Sequence, residues 1–233
     1  MAVLAAAVLA VGAYRAGLGV GAAVAAPARV VTEVPTSEKV VAFTFDDGPT
    51  ARWTPQILGI LRADKVPATF FVIGQEVVRH PELVAQEVQA GMEIGNHGFR
   101  HRRLRGLDRA AIVDEVRQGA QAIETAGAPA PTLYRLPAGV WDRTALSTLG
   151  SLGYTVVGWS VDPQDWRHRF TAQQMTDLVL KTVRPGAIVI FHDGTNSSAA
   201  TVDAVRTLIP ALKGQGYRFV TVGQLLRINK SRI

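Results

Sequence analysis

Asp46 and Asp47 stand side by side between an apolar run and Gly48-Pro49. His97 and His101 are four residues apart, Asp162 and Asp165 precede Trp166, and His192-Asp193 follows another apolar run. Arg135 closes a further apolar stretch, ahead of Pro137 and Gly139. An Asp and two His make an O,N,N donor set that suits Zn²⁺, and also Co²⁺, Ni²⁺, Mn²⁺ or Fe²⁺. His97 and His101 are spaced to share one ion if their segment turns helically. Three protein ligands leave a position for water, which a bound ion turns into a nucleophile near neutral pH. A second carboxylate can take its proton, and a separate His can donate one to a leaving group. The chemistry within reach is metal-assisted hydrolysis of an amide or ester.

Each piece alone has a plainer reading. Asp-Asp before Gly-Pro is commonly a turn with a capping carboxylate. A His-x-x-x-His pair is commonly surface, Arg135 alone an ordinary ion-pair residue, Asp165-Trp166 a capped loop over a core aromatic, and His192 a satisfied buried histidine. Placement along the chain decides between the readings. Strands are expected at residues 40–45, 68–73, 93–95, 132–135, 155–159, 187–191 and 218–221, with helices at 55–65, 81–90, 108–126, 144–152, 172–183 and 202–213. Pro81 fits a first helical position, and Gly91 and Gly127 fit helix ends. Alternation of this kind argues an α/β fold with a parallel sheet. Five of the seven strands deliver ionisable residues at their carboxyl ends, the edge where active sites form in such sheets. Asp162, Asp193 and Trp159 read as structural, and His80 and His168 as surface.

Composition bounds the rest. The chain has 233 residues, 48% hydrophobic and 19% charged, with 22 Gly and 12 Pro, which excludes a disordered, collagen-like or coiled-coil chain. With no cysteine there is no disulfide scaffold, thiolate zinc site or thiol nucleophile. Residues 1–26 carry only Arg15, and they end in a small-residue stretch, Ala23-Val24-Ala25-Ala26, before Pro27. They read as a signal peptide or membrane anchor, although no Lys or Arg precedes the apolar run. The protein is therefore expected to be exported, either secreted and cell-wall associated or anchored with its catalytic domain outside the cytoplasm. Residues 27–38 read as a linker and 39–228 as one catalytic domain. The formal charge is +6, and 20 of the 25 basic residues are Arg. Loss of residues 1–26 leaves 24 basic against 19 acidic residues, so the bias belongs to the folded part. Such a balance admits nucleic acid, anionic membrane or an anionic polymer. No recognition motif supports nucleic acid. Nothing in the sequence sets the oligomeric state; a monomer is the default.

The motifs Thr44-Phe45-Asp46-Asp47-Gly48-Pro49, His97-x-x-x-His101, Arg135-x-Pro137-x-Gly139, Asp162-x-x-Asp165-Trp166 and Ile190-x-His192 occur in order at strand ends. In this the chain resembles the polysaccharide deacetylases of the fourth carbohydrate esterase family, related to the nodulation-type chitooligosaccharide deacetylase, over residues 39–226. The resemblance implies a distorted (β/α)7 barrel and a metal-dependent enzyme that removes N-acetyl groups from the amino sugars of a cell-wall polysaccharide, peptidoglycan or chitooligosaccharide. It implies Asp47, His97 and His101 as ligands of a divalent metal, Zn²⁺ first, with Co²⁺, Ni²⁺ or Mn²⁺ as alternatives. Asp46 would be the general base, held by Arg135, and His192 the general acid, oriented and kept cationic by Asp165. The backbone N–H of Ala138 would stabilise an oxyanion, while Trp166 and Ile190 would wall a pocket for the acetyl methyl. Thr44 and Phe45 would only shape the strand end. Two positions depart from the family pattern: Gly98 stands where Ser or Thr is usual, and Ala138 where an aromatic is common. A sugar-stacking surface would then come from elsewhere, for example Trp141 or Phe99. The competing readings are a non-catalytic glycan-binding protein on the same fold and a deacylase of another substrate, such as O-acetyl xylan. Arg100, Arg102, Arg103, Arg105 and Arg109 surround His101, and Arg167 and Arg169 follow Trp166; they are expected either as a solvated rim or as a surface for an anionic polymer.

Overall fold

The computed structural model describes residues 27–230 apart from 168, 195, 196 and 198. Residues 1–26, read as a signal or anchor, and His168, read as surface, lie outside the described residues. All seven expected strands are present, three of them one residue longer at the carboxyl end and four shorter: β2 (Val40–Asp46), β3 (Thr69–Val72), β4 (Glu93–Asn96), β5 (Leu133–Tyr134), β6 (Thr155–Val157), β7 (Ala187–His192) and β8 (Arg218–Phe219). One more, β1 (Val30–Val31), precedes them. Every ladder is parallel, in the order β1-β6-β5-β4-β3-β2-β7, with β8 paired to the amino end of β2. The distorted barrel implied by the resemblance takes the form of a curled parallel sheet. Its ends approach through two isolated bridges, Glu33 to Ala187 and Val161 to Val189, and at the second Ile190 N–H donates to Val161 O at 3.0 Å.

Residues 27–38 are not a free linker. Val30 and Val31 pair with Val156 and Val157, Val34 N–H donates to Gly186 O at 3.0 Å, and the Val34 side chain is buried. Few large apolar residues stand in this stretch, so its sequence reads as a linker. Its backbone donors and acceptors are nonetheless taken up by an open sheet edge, which otherwise stays unpaired.

The helices α1 (Thr54–Ala63), α3 (Pro81–Gln89), α4 (Arg109–Thr125), α5 (Arg143–Ser151), α6 (Ala172–Thr182) and α7 (Ala199–Gly214) fall where apolar residues recur at helical spacing. Pro81 opens α3, and Gly91 and Gly127 take positive φ just beyond α3 and α4. The short α2 (Gly74–Arg79) and the last helix α8 (Val222–Lys230) add to the expected set.

Strand parity decides which residues reach the site. Successive side chains on a strand point to opposite faces. On β2 the outward set Val41, Phe43 and Phe45 joins the main core under the helices, with Phe70 and Phe191. The inward set begins with Val40 and Ala42, in the sheet's own interior with Phe71, Leu133, Val157 and Ile188, and continues to Thr44 and Asp46. The same parity on β5 places Leu133 and Arg135 inside and sends Tyr134 to the α4–α5 side. On β7 it places Ile188, Ile190 and His192 inside. Gly95 faces inward on β4 because the Phe71 ring fills the space a side chain would need.

Candidate active site

The inward residues converge at the carboxyl edge of the sheet, in a cleft of about 460 Å³. Eight of the ten predicted site residues line it: Asp46, Asp47, His97, His101, Ala138, Trp166, Ile190 and His192. The other two, Arg135 and Asp165, lie behind it at 0% exposure, Arg135 touching Asp46 and His97 and Asp165 touching His192.

Two neighbouring aspartates on a strand would face opposite ways. Here β2 ends at Asp46, and Asp47 takes a φ of 72°, which turns the chain so that both carboxylates meet the cleft. Asp47 Oδ1 lies 3.3 Å from His97 Nε2 and 3.2 Å from His101 Nε2. One donor atom from each of these three residues falls within 4.8 Å of the others. The two histidines come together without a helix. His97 follows β4 directly, Gly98 has a φ of 84°, and His101 a φ of 56°. The helical turn expected between them is therefore a loop, and its left-handed residues do the folding back.

That loop is held by Glu115 of α4, which the sequence reading missed. Its buried carboxylate accepts N–H bonds from Arg100 at 2.5 Å and Arg102 at 3.4 Å, on either side of His101. The Gly98 N–H donates to Asn96 Oδ1 at 2.8 Å, and a side chain at 98 would press on Glu115 and on the Tyr134 hydroxyl. Glu115 and Asn96 thus brace the loop around Gly98. An acid among other polar residues on a helix carries no sequence signal for such a role.

The donor set fits a divalent ion. The His97 Nδ1 lies 2.8 Å from the carbonyl of Arg135, which fixes the ring and turns Nε2 toward Asp47. Burial lowers the proton affinity of His97, but Asp46 and Asp47 raise it by more, and the net direction is upward. Burial and the charge of His97 take His101 downward, toward the neutral form that ligates. Burial raises Asp47, and the bond and charge of His97, with His192 and His101, outweigh it and hold the carboxylate ionised well below its usual range. A cation among the three groups would take over the role of the proton that they attract.

Asp46 is fixed from behind. Arg135 Nη1 donates to Asp46 Oδ1 and to Thr44 Oγ1, both at 2.7 Å, and Nη2 donates to Gly158 O at 2.9 Å. The guanidinium also stacks over Phe71, with 4.1 Å from Cζ to the ring centre. Thr44 passes its own proton to Val189 O at 2.8 Å, so it positions Arg135 as well as ending the strand. On the far side, Asp165 Oδ1 lies 2.8 Å from His192 Nδ1, while its Oδ2 accepts the His192 backbone N–H at 2.8 Å. Burial lowers His192, and Asp165 first, then Asp46 and Asp47, raise it to about 9.

Asp162 and Trp159, read as structural, both line the cleft. Asp193, also read as structural, is buried and accepts from Thr54 Oγ1 at 2.5 Å, while its N–H donates to Asp46 O at 3.0 Å and braces the Asp46-Asp47 turn. The arginines divide. Arg100 reaches back to Gln118 and Glu115, Arg109 reaches Ser151, and Arg167 stacks on Trp166. Arg103 is the arginine of the group that lines the cleft. Phe99 lies away from it, against Val77, Ala122 and α4.

A carboxylate acceptor and an imidazole held protonated, lining one cleft, are what hydrolysis of an amide or ester asks for. The class is thus a hydrolase on a curled parallel sheet. The polysaccharide deacetylase family profile matches residues 33–157. A peptidoglycan-N-acetylglucosamine deacetylase of Bacillus cereus is 41% identical over 200 residues, spanning 85% of this chain and 93% of its own. A chitooligosaccharide deacetylase of a Bradyrhizobium species is 40% identical over 197 residues, spanning 79% and 90%. Among solved structures, a peptidoglycan N-acetylglucosamine deacetylase bound to an N-oxidanyl-benzamide superposes with a TM-score of 0.81 at 31% identity, over 83% of this chain and 91% of that one. The chain belongs to the polysaccharide deacetylase family and is a deacetylase.

Proposed function

We propose that the protein is a metal-dependent N-deacetylase of peptidoglycan, with Asp46 as base and His192 as acid. The observation that supports this most is the flanking of the Asp47, His97 and His101 cluster by Asp46 on one side and His192 on the other, in one cleft. Asp47, His97 and His101 would hold a divalent ion, Zn²⁺ first and Co²⁺, Ni²⁺ or Mn²⁺ as substitutes, which would supply positive charge to acidify a water and polarise the acetamide carbonyl. Asp46, pinned by Arg135, takes the proton of the attacking water. The N–H of Ala138, which stands at φ 57° on the cleft wall, donates to the developing oxyanion. His192, kept cationic by Asp165, gives its proton to the leaving amine. Trp166 and Ile190 enclose the acetyl methyl. Export, read from residues 1–26, goes with a substrate outside the cytoplasm, and fractionation of cells checks it.

The test is acetate release from peptidoglycan, chitooligosaccharides and acetylxylan with defined metals. Chelation abolishes turnover, and Zn²⁺ or Co²⁺ restores it; turnover that survives complete metal removal overturns the mechanism. Peptidoglycan is favoured over a neutral chitooligosaccharide by Arg103, which brings a cation to the cleft wall. Peptidoglycan carries carboxylates on its stem peptides, and chitin carries none. Arg103→Gln is expected to lower kcat/KM on peptidoglycan by about 3- to 5-fold, the value of a partly exposed ion pair, and to leave chitooligosaccharide within two-fold. Equal losses on both substrates, or none on either, remove the argument from charge.

A further inference from the structure

Beside the cleft lies a second, open cavity of about 200 Å³, and no residue assigned to the reaction lines it. Leu136, Gly139 and Trp159 border both, so the two form one continuous depression. Its far wall is Trp141, a large apolar side chain left 43% exposed, and its outer edge is Val30 and Thr32, from β1 and the residue after it. Trp159 is the partition: its ring lies on Gly139, where a Cβ would stand 2.7 Å from the nearest ring carbon. Ala138 offers only a methyl group at this end of the cleft, so the aromatic surface there is Trp141 with Trp159.

Trp141 is also held in place. The next residue, Asp142, caps α5 by accepting the Ala145 N–H at 2.9 Å and ties in a second loop by accepting the Gly106 N–H at 2.8 Å. An exposed indole on a pinned backbone is a ready platform, since little ordering is left to be done on binding. The occupant it suits has one flat apolar face and a polar edge, which describes a pyranose with its axial C–H groups on one side and its hydroxyls around the rim. Continuity with the cleft that holds the reacting amino sugar points to another sugar of the same chain.

We propose that this groove is a sugar subsite, in which a neighbouring residue of the glycan stacks on Trp141 while the reacting residue lies at Asp46 and His192. The assignment rests on the deacetylase reading and deepens it: the enzyme acts on chains and gains rate with chain length. It also gives β1 a function, since Val30 and Thr32 complete the groove.

The experiment measures kcat and KM for chitobiose, chitotetraose and chitohexaose with the metal-loaded full chain and with Trp141→Ala and Trp141→Phe. The Ala variant is expected to lose kcat/KM by a factor that grows with length, reaching about 3- to 10-fold for the hexamer, chiefly in KM, and the Phe variant to recover most of it. A loss equal at all lengths, or no loss at any, overturns the proposal. Titration of chitohexaose into Asp46→Asn and into Asp46→Asn with Trp141→Ala, followed by tryptophan fluorescence, reads binding without turnover. The affinity is expected to fall by the same factor in the second protein, and equal affinities overturn the subsite. If the wild type releases no acetate from any glycan, the deacetylase reading fails, and the titration still decides the groove.

Discussion

Two buried carboxylates flank the cleft, and each holds one cation. Asp46 holds Arg135 at 2.7 Å, and Asp165 holds His192 at 2.8 Å. The pairs are alike in distance and burial but differ in the partner. A guanidinium does not lose its proton in this range, so Asp46 faces a permanent charge. An imidazole can lose its proton, so Asp165 has the opposite use: it keeps a donor loaded. In the proposed mechanism the same ion-pair geometry serves a base on one side and an acid on the other, and the partner's chemistry decides which.

The comparison breaks most clearly at Asp46. Asp46→Asn keeps the shape and removes the acceptor, and kcat is expected to fall by about 10³- to 10⁴-fold with metal content unchanged, measured by acetate release and elemental analysis. Activity within ten-fold of wild type would mean that Asp46 is only a structural partner of Arg135. The next effect falls on folding. Arg135→Met leaves Asp46 buried without its cation, and chemical denaturation should show a loss of about 3–5 kcal/mol. Loss of activity at full stability would instead mark Arg135 as a group that meets the substrate.

The smallest effect separates the two sides. Asp165→Asn leaves the histidine in place and removes the charge that loads it. His192 is raised to about 9, so the acid is present below that pH and lost as pH rises through it. The alkaline limb of the kcat profile should move to lower pH in the variant, with a loss of about ten-fold near neutrality. An unmoved limb would assign it to another group. The same linkage bears on stability. Because the folded value exceeds the ordinary 6.5, the contribution of His192 is complete below that pH and fades through about 9. Wild type should therefore lose stability over that window, and Asp165→Asn should lose less.

Some of this was legible without coordinates. The position of Asp46, Arg135 and His192 at the ends of strands follows from apolar runs that stop at a charge, and strand alternation puts each on the same face as the residue two places before it, Thr44, Leu133 and Ile190. The His97 and His101 pair was legible as a pair, but its backbone was not. Helical spacing and a loop of left-handed residues bring the same two rings together, and only Gly98 hints at the second. The arginines read as one cluster, whereas Arg100 and Arg109 belong to helix contacts and Arg103 to the cleft. Neighbours along a loop share composition without sharing direction.

What the sequence by itself determined is the inventory and its parity: which groups can ligate, accept and donate, and that they meet at one sheet edge. These are local properties, set by residue type and by the two-residue period of a strand. What only the tertiary structure decided is which distant segments complete the site. Val30 and Trp141 line one groove, Glu115 reaches the His101 loop, and Trp141 rather than Phe99 lies in the groove beside the cleft. Each of these depends on how far the sheet curls and how the helices lie on it. Those are sums of many packing contacts, and no short stretch of residues encodes them.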